Sequence, residues 1–592
     1  VTHPPRPELA LSLGITGHRS LTAAERDALD TALDALLTAI ARITTRIGRD
    51  HAALFGERPP ALTLVSPLAE GADQAAAEAA LRHGFSLHAV LPFPPAVYAE
   101  DFKGPALATF HALLDRADSA YALPGLRSHG PHGYILAGEA TVAQCDILVA
   151  AWNGEDARGR GGTADILDLA VRRGVPVIHL PTGKAAGGPR ILWSGFGAMA
   201  SDFLRRDEAP QRPLDDAALE TLIRTLVAPP ADGPELDIFL AEEELRTRWR
   251  PEWALMLAAV GVQPLRRSSF RGQPYADAAR RDWAAYRQGA EVTCGPLARM
   301  DRLESAFAWA DGLAQHYANV FRSGVVLNFA GAALAVLLSL IAGLLPGQKL
   351  YLLVAELVVI AAIIANTAYG TRREWHRRWL DYRFLAEQLR PLRSLKLLGA
   401  GNLALRARSG TRRWTDWYVQ AIWRTLGVPP TLDGTGALAR LARHVAAHEL
   451  DDQVAYNRRS AGQMHRLDHR LHRLGMALFA LTILTGLGTL GGLVFAYKAT
   501  KEVAPILGML SAAFPTLGAG IFGIRGAGDF AGTAGRSAET ARRLEQIAAM
   551  LRADDLDHSL AARATEQAAA IMLADLGEWR STYTHRKLAI PS

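Results

Sequence analysis

Three short polar segments carry the residue types needed to hold a phosphorylated small molecule. The first, Gly14-Ile15-Thr16-Gly17-His18-Arg19, overlaps the end of the apolar run Leu11–Ile15. Its glycines let the backbone approach a ligand, the Thr16 hydroxyl can donate, and His18 and Arg19 can contact phosphate. The second, Ser66-Pro67-Leu68-Ala69-Glu70-Gly71-Ala72-Asp73, opens a helical pattern. The third runs from Trp152-Asn153-Gly154 to Gly159-Arg160-Gly161-Gly162-Thr163 and leads into another helix. A tight turn explains one glycine-rich loop equally well, but three at successive strand ends form a nucleotide cradle. Tyr134 and Trp152 are candidates to stack a base, with packing against a sheet as the plain alternative.

The elements that must position these loops are readable from periodicity. Apolar runs at Leu11–Ile15, Ala61–Val65, Ser86–Leu91, Ile147–Ala151 and Val175–Leu180 alternate with helical patterns. Thr22 and Glu25 form a capping box, after which Leu29, Leu33, Leu36, Ile40, Ile43 and Ile47 recur at helical spacing until Gly48. This alternation predicts an α/β Rossmann-like domain with a mainly parallel sheet. In such sheets ligands bind outside the carboxyl ends of the strands, where the three loops fall.

On these motifs (GITGHR, SPLAEGAD, CDILVAAWNG and GGT) residues 8–200 resemble the SLOG superfamily, the Rossmann-like DprA/LOG group. The resemblance implies a nucleotide-type ligand, either an ADP-ribose or NAD derivative or a cyclic nucleotide, with no tightly bound cofactor. A related domain occurs in the cytoplasmic region of melastatin-type TRP channels, and bacterial conflict systems join SLOG domains to SLATT-type membrane modules. Arg302–Arg322, two spans and Trp375–Leu395 are similar to such a module. Enzymatic LOG members carry PGGxGTxxE, whose glutamate lies three residues after the threonine. Here that position is Ile166, no proline precedes Gly161, and Asp165 would point about 100° away on a helix. The resemblance therefore implies a sensor without catalytic residues, with a membrane-tethered nucleotide or N-glycoside hydrolase and a passive scaffold as alternatives.

The remainder of the chain is a membrane region by composition. Gly324–Pro346, Leu350–Thr371, Leu474–Tyr497 and Val503–Ile524 are each long enough to cross a hydrocarbon core of about 30 Å. They predict two transmembrane hairpins with turns at Gly347–Lys349 and Lys498–Glu502. Arginines flank the opposite ends, which places both termini in the cytoplasm of a multi-pass protein of the bacterial inner membrane. The polar, strand-like opening reads as a cytoplasmic domain with no signal peptide. Small residues such as Gly331, Gly343, Gly486, Gly488, Gly518, Gly520 and Gly523 permit close packing in a bundle or homo-oligomer. Glu356, Asn328 and Asn366 are the polar candidates for a pore lining, or for helix packing.

Composition bounds the rest. The 592 residues are 49% hydrophobic and 21% charged, and a net charge of +6 gives no footprint for nucleic acid. Two cysteines, Cys145 and Cys294, exclude a disulfide framework and a Cys-based zinc site. His465, His469 and His472 share a helical face, but their interleaved arginines favour anionic headgroups over a metal. The expected organisation is a nucleotide-binding domain at 1–227 (core 8–200) and a linker at 228–234. Cytoplasmic helices at 235–323 and 372–473 alternate with hairpins at 324–371 and 474–524, and further helices occupy 525–592.

Overall fold

The computed structural model describes residues 2–125, 127–156, 161–183, 187–196, 205–231, 234–243, 250–266, 270, 275–294, 300–401, 413–429, 431–432 and 436–584. Eight strands form one sheet in the order β4-β3-β2-β1-β5-β6-β7-β8. Strands β1 (Ala10–Gly17), β2 (Ala61–Ser66), β3 (Ser86–Leu91), β5 (Ile147–Trp152) and β6 (Val177–Pro181) correspond to the five apolar runs. All five pair in parallel, as does β4 (Ser119–Ala122) at the edge. The short β7 (Arg190–Leu192) and β8 (Gln211–Pro213) are antiparallel additions beside β6. The helix Asp216–Val227 adds to the same domain, lying on the first helix with Arg42 paired to Asp216 at 2.6 Å.

The first helix, Ala23–Asp50, begins with the expected reciprocal cap: Thr22 N–H donates to Glu25 at 2.8 Å and Glu25 N–H to Thr22 Oγ1 at 3.3 Å. Every member of its apolar stripe is buried, and the helix runs two residues past Gly48 because the local i→i−4 ladder continues there. Of the 228–234 linker, residues 232 and 233 lie outside the described residues.

Among the described residues, four helices are long and apolar enough to cross a membrane. Two of them, Met300–Leu344 and Asp451–Phe495, are single 45-residue helices that extend well beyond the lipid span. The second and fourth are Lys349–Arg372 and Tyr497–Gly528. The second hairpin turns more sharply than Lys498–Glu502 implied: only Ala496 leaves helical geometry (φ −143°), and those five residues belong to the fourth helix. The stretches between the spans are also more broken than the composition suggested. Trp375–Leu389, Leu392–Leu397, Trp414–Thr425 and Ala437–Val445 pack as short helices around the bases of the long ones.

The two regions share one continuous apolar core, from Leu11 and Leu13 in β1 to Leu303, Leu385, Trp417 and Leu441 in the helices. Polar bonds fasten the amino-terminal edge of the sheet to the helical body. Arg424 Nε donates to Asp146 Oδ1 at 2.9 Å, and Trp417 Nε1 donates to the Val227 carbonyl at 2.9 Å. Thr431 bonds both Ala120 and Ala122 and so closes the exposed edge of β4. The carboxyl edge of the sheet is left for the loops.

Candidate functional site

The strand order reverses at β1, whose neighbours β2 and β5 run to opposite sides, so their carboxyl ends diverge and open a crevice. A cleft of about 710 Å³ occupies that crevice, a size suited to a nucleotide. Thr16, Gly17, His18 and Arg19 form one wall. Trp152, Asn153, Gly161, Gly162 and Thr163 form the opposite wall, and Asp73 and Tyr134 complete the lining.

Glycine is required where these walls meet. A Cβ on Gly17 would lie 2.4 Å from Ala72 Cβ, so its absence lets β1 and the helix Ala72–Arg82 converge. Gly71 has φ +89°, and a Cβ there would come within 2.3 Å of the Arg19 carbonyl oxygen. That packing lets Ala72 N–H donate to the His18 carbonyl at 3.1 Å. His18 is fixed on its other side by Asn153 N–H, which donates to Nε2 at 3.0 Å. The ring therefore accepts at Nε2 and binds β1 to β5 across the switch point.

The helices Ala72–Arg82 and Thr163–Arg172 both start at this cleft, with glycine N-caps that supply no side-chain cap. Thr163 and Ala164 line the cleft at the start of the second helix, where the positive end of the helix dipole favours an anion. Arg19 supplies the cation, and its guanidinium lies 5.1 Å above the Tyr134 ring. Tyr134 in turn donates to Asp101 at 2.6 Å, so the stack is braced from below.

Asp73 is the unusual group. It is 5% exposed, lines the cleft, and its Oδ1 has no hydrogen-bond partner. Burial pushes its carboxyl up to about 8, against the opposing pull of the Ala69 N–H and the Arg19 charge. At neutral pH it is a protonated acid facing the ligand space. Burial also raises the Tyr134 hydroxyl, and the Asp101 hydrogen bond adds to that shift.

Several expected site residues have other work. Gly14 packs beneath the floor, where a Cβ would lie 2.8 Å from Cys145 Sγ. Ser66 is fully buried and its Oγ accepts from Leu68 N–H at 3.1 Å, shaping the turn. Glu70 is exposed, and neither it nor Gly71 lines the cleft. Gly159 and Arg160 lie outside the described residues. Trp152 lines the cleft but also donates to the Glu155 carbonyl at 2.8 Å and carries Arg206 at 5.1 Å from its ring. Sequence reasoning missed Glu25, Tyr98, Thr182 and Gly183, which also line the cleft. Glu25 was visible only as a cap, and Thr182 and Gly183 follow β6, whose loop had no motif.

Two of the three polar candidates in the spans, Asn328 and Asn366, are brought together within the first hairpin. Asn366 Nδ2 donates to Asn328 Oδ1 at 2.7 Å and to the Gly324 carbonyl at 3.1 Å. Asn328 donates to Thr367 at 2.9 Å, and Arg250 donates to Asn366 Oδ1 at 2.8 Å. Both asparagines are buried within the first hairpin. Glu356 is half-exposed on the second span, away from this network. Among the described residues no group of acids, histidines or cysteines has the arrangement of a metal site, and His465 and His469 stack at 6.2 Å.

Comparison with known proteins adds two findings. A family model described as a protein of unknown function (DUF4231) matches residues 305–402, which contain the first spanning hairpin and the helices that follow it. Among solved structures, DNA processing protein A (DprA) from Streptococcus pneumoniae is similar, with 18% identity and a TM-score of 0.21 over 29% of this chain. The match spans about half of that protein, 51% of its length. No curated protein matches the chain.

Proposed function

We propose that the protein is a membrane effector whose SLOG-like α/β domain binds a nucleotide-derived second messenger. Binding shifts the four spanning helices, in a homo-oligomer of the bacterial inner membrane with cytoplasmic termini, to an arrangement that conducts ions or disrupts the bilayer. The SLOG and SLATT resemblance makes antiviral defence the setting of this reading.

One observation carries the proposal. The helix His132–Gln144 has Tyr134, Ala137 and Gly138 at its start in the cleft. At its end, Gln144 accepts from the Lys396 ammonium at 2.6 Å and donates to the Ala400 carbonyl at 3.2 Å. Those partners belong to the segment that follows the first spanning hairpin. A ligand that draws Tyr134 and Arg19 together would move a rod of about 20 Å whose far end is fixed to the base of the spans. To switch the assembly, the ligand must bind the active arrangement more tightly than the resting one. Assembly is supported by Gly343, Gly486, Gly488 and Gly491, where a Cβ would meet nothing within 4 Å in one chain. These small-residue faces are open to a second copy.

Binding without turnover is part of the proposal. Ile166 lines the cleft, and Asp165 is occupied by the Gly161 N–H at 2.9 Å. Asp73 favours a second reading, a membrane-tethered nucleotide or N-glycoside hydrolase, because a protonated buried acid in a cleft is suited to general acid catalysis. Thermal-shift titration of the full chain with ADP-ribose, NAD, mononucleotides and cyclic oligonucleotides tests both. Stabilisation by one class, lost in Arg19→Ala and without product on chromatography, supports the sensor. Turnover abolished by Asp73→Asn would establish the hydrolase, and no binding by any class would defeat both.

A further inference from the structure

A second cavity lies far from the nucleotide cleft, where the spans leave the bilayer. It encloses about 360 Å³ between the first spanning helix, the third, and the helix Phe530–Leu551. Arg322, Arg383 and Arg536 line it, together with neutral polar groups such as Asn319, Ser460 and Ser537, and among the described residues no carboxylate does. Arg322 is held by rings, 5.3 Å from Trp253 and 5.1 Å from Trp379. Arg536 bonds Asp529 and Thr533 at 3.2 and 3.3 Å, and Arg383 pairs with Glu387 at 2.6 Å and approaches Asp311 at 3.6 Å. These carboxylates hold Arg383 and Arg536 from outside the lining, so among the described residues the wall itself presents guanidinium and neutral polar groups.

A small apolar annex of about 60 Å³ adjoins the cavity. Trp253, Arg322, Trp379 and Thr533 line both, while Val325, Val326 and Ile524 line the annex alone. The level in the membrane is set by the chain itself. Arg322 lies two residues before the uncharged run that starts at Gly324, and Ile524 ends the run of the fourth span. The annex is therefore at the hydrocarbon boundary. The cationic cavity extends from Arg322 back to Ala314, about 12 Å into the headgroup layer and beyond.

We propose that this cavity binds one anionic glycerophospholipid, its phosphate held by Arg322 and Arg536 and its first acyl carbons seated in the annex. A basic pocket at the cytoplasmic ends of spanning helices suits an anionic headgroup, and the tryptophan pair suits the interface between headgroup and chain. A free phosphate compound shares the headgroup chemistry but has nothing to place in the annex.

Full-length protein in neutral detergent, titrated with dioleoyl phosphatidylglycerol and followed by native mass spectrometry and thermal melting, tests the assignment. One phosphatidylglycerol is expected to be retained and to raise the melting temperature, whereas phosphatidylcholine, glycerol 3-phosphate and inorganic phosphate do not. Arg322→Gln combined with Arg536→Gln should weaken retention about tenfold or more, and Arg459→Gln, exposed on the third long helix and outside the cavity lining, should leave it unchanged. Should the double variant fail to fold, Val326→Trp, which fills the annex, must weaken lipid retention by itself. Equal retention of phosphatidylcholine, an equal shift with glycerol 3-phosphate, or an equal loss in Arg459→Gln would overturn the proposal.

Discussion

In the α/β domain, Leu11, Leu13 and Ile15 turn inward and are at most 1% exposed, while the cleft gathers polar and glycine residues such as Thr16, Arg19, Asp73 and Gly161 beside apolar ones such as Ile166. In the spans the order is inverted. Leu350, Val354, Leu357, Ile364, Ile483 and Leu490 face outward, and Asn328, Asn366 and Thr367 bond to one another inside the first hairpin. Each arrangement follows from its solvent: water rewards the burial of apolar surface, whereas lipid rewards the burial of polar groups. The short helices between these regions combine both, with an apolar core threaded by buried charge. Those helices join the two regions through shared packing and buried charge.

The largest effect is expected where buried charge stands at that junction. Arg393 Nε donates to Glu449 at 2.5 Å, with both side chains at most 4% exposed, and the guanidinium lies 4.0 Å from the Tyr286 ring. Glu449→Ala leaves an uncompensated cation and should cost about 3–5 kcal/mol, seen as a large fall in melting temperature. A smaller loss, of about 1–3 kcal/mol, is expected for Gly71→Ala from its φ alone. The clash with the Arg19 carbonyl should also close the cleft, so ligand binding would disappear while the spans remained folded by circular dichroism. Asn366→Leu should destabilise the first hairpin by only about 0.6–1.7 kcal/mol in detergent, the range of hydrogen bonds between membrane helices.

The subtlest prediction concerns pH. Burial holds Lys396 down to about 7, against 10.5 for an ordinary lysine, with Asp146 pulling the other way. The unfolded chain then binds more protons than the folded one between those two values. Stability should rise with pH across that window and carry the full cost of the buried charge below about 7. The difference between wild type and Lys396→Met, measured by denaturant titration at several pH values, should isolate this slope. An identical slope in the variant would remove Lys396 as its source.

Legibility followed the same division. The spans and five of the strands were readable because each carries many apolar residues in one pattern. Strand β4 has only Ser-Ala-Tyr-Ala and depends on Thr431 from a distant segment, while β8 contains a proline and two exposed polar residues. Neither has a local signal to read. Thr16, Arg19 and Asp73 were legible from their loops because strand ends converge by topology. Ser66 and Glu70 sat in the same motif, but their direction depends on Leu68, which adopts a positive φ of 57°. Asn328 and Asn366 were visible as polar residues in apolar runs. Their mutual hydrogen bond required knowing which faces of two helices meet. The buried Lys396 and Glu449 were indistinguishable from surface charges, since the segment between the two hairpins is rich in charged residues of both signs.

On the proposed function, occupancy of the cleft is read by the spanning helices. The most direct test is ion flux from liposomes bearing the full-length protein, with whichever nucleotide stabilises it in the thermal-shift panel. Flux should rise with ligand in the wild type and stay at its resting level in Arg19→Ala, with the variant reconstituted to equal density. Liposomes that stay ion-tight while the nucleotide demonstrably binds would contradict the account.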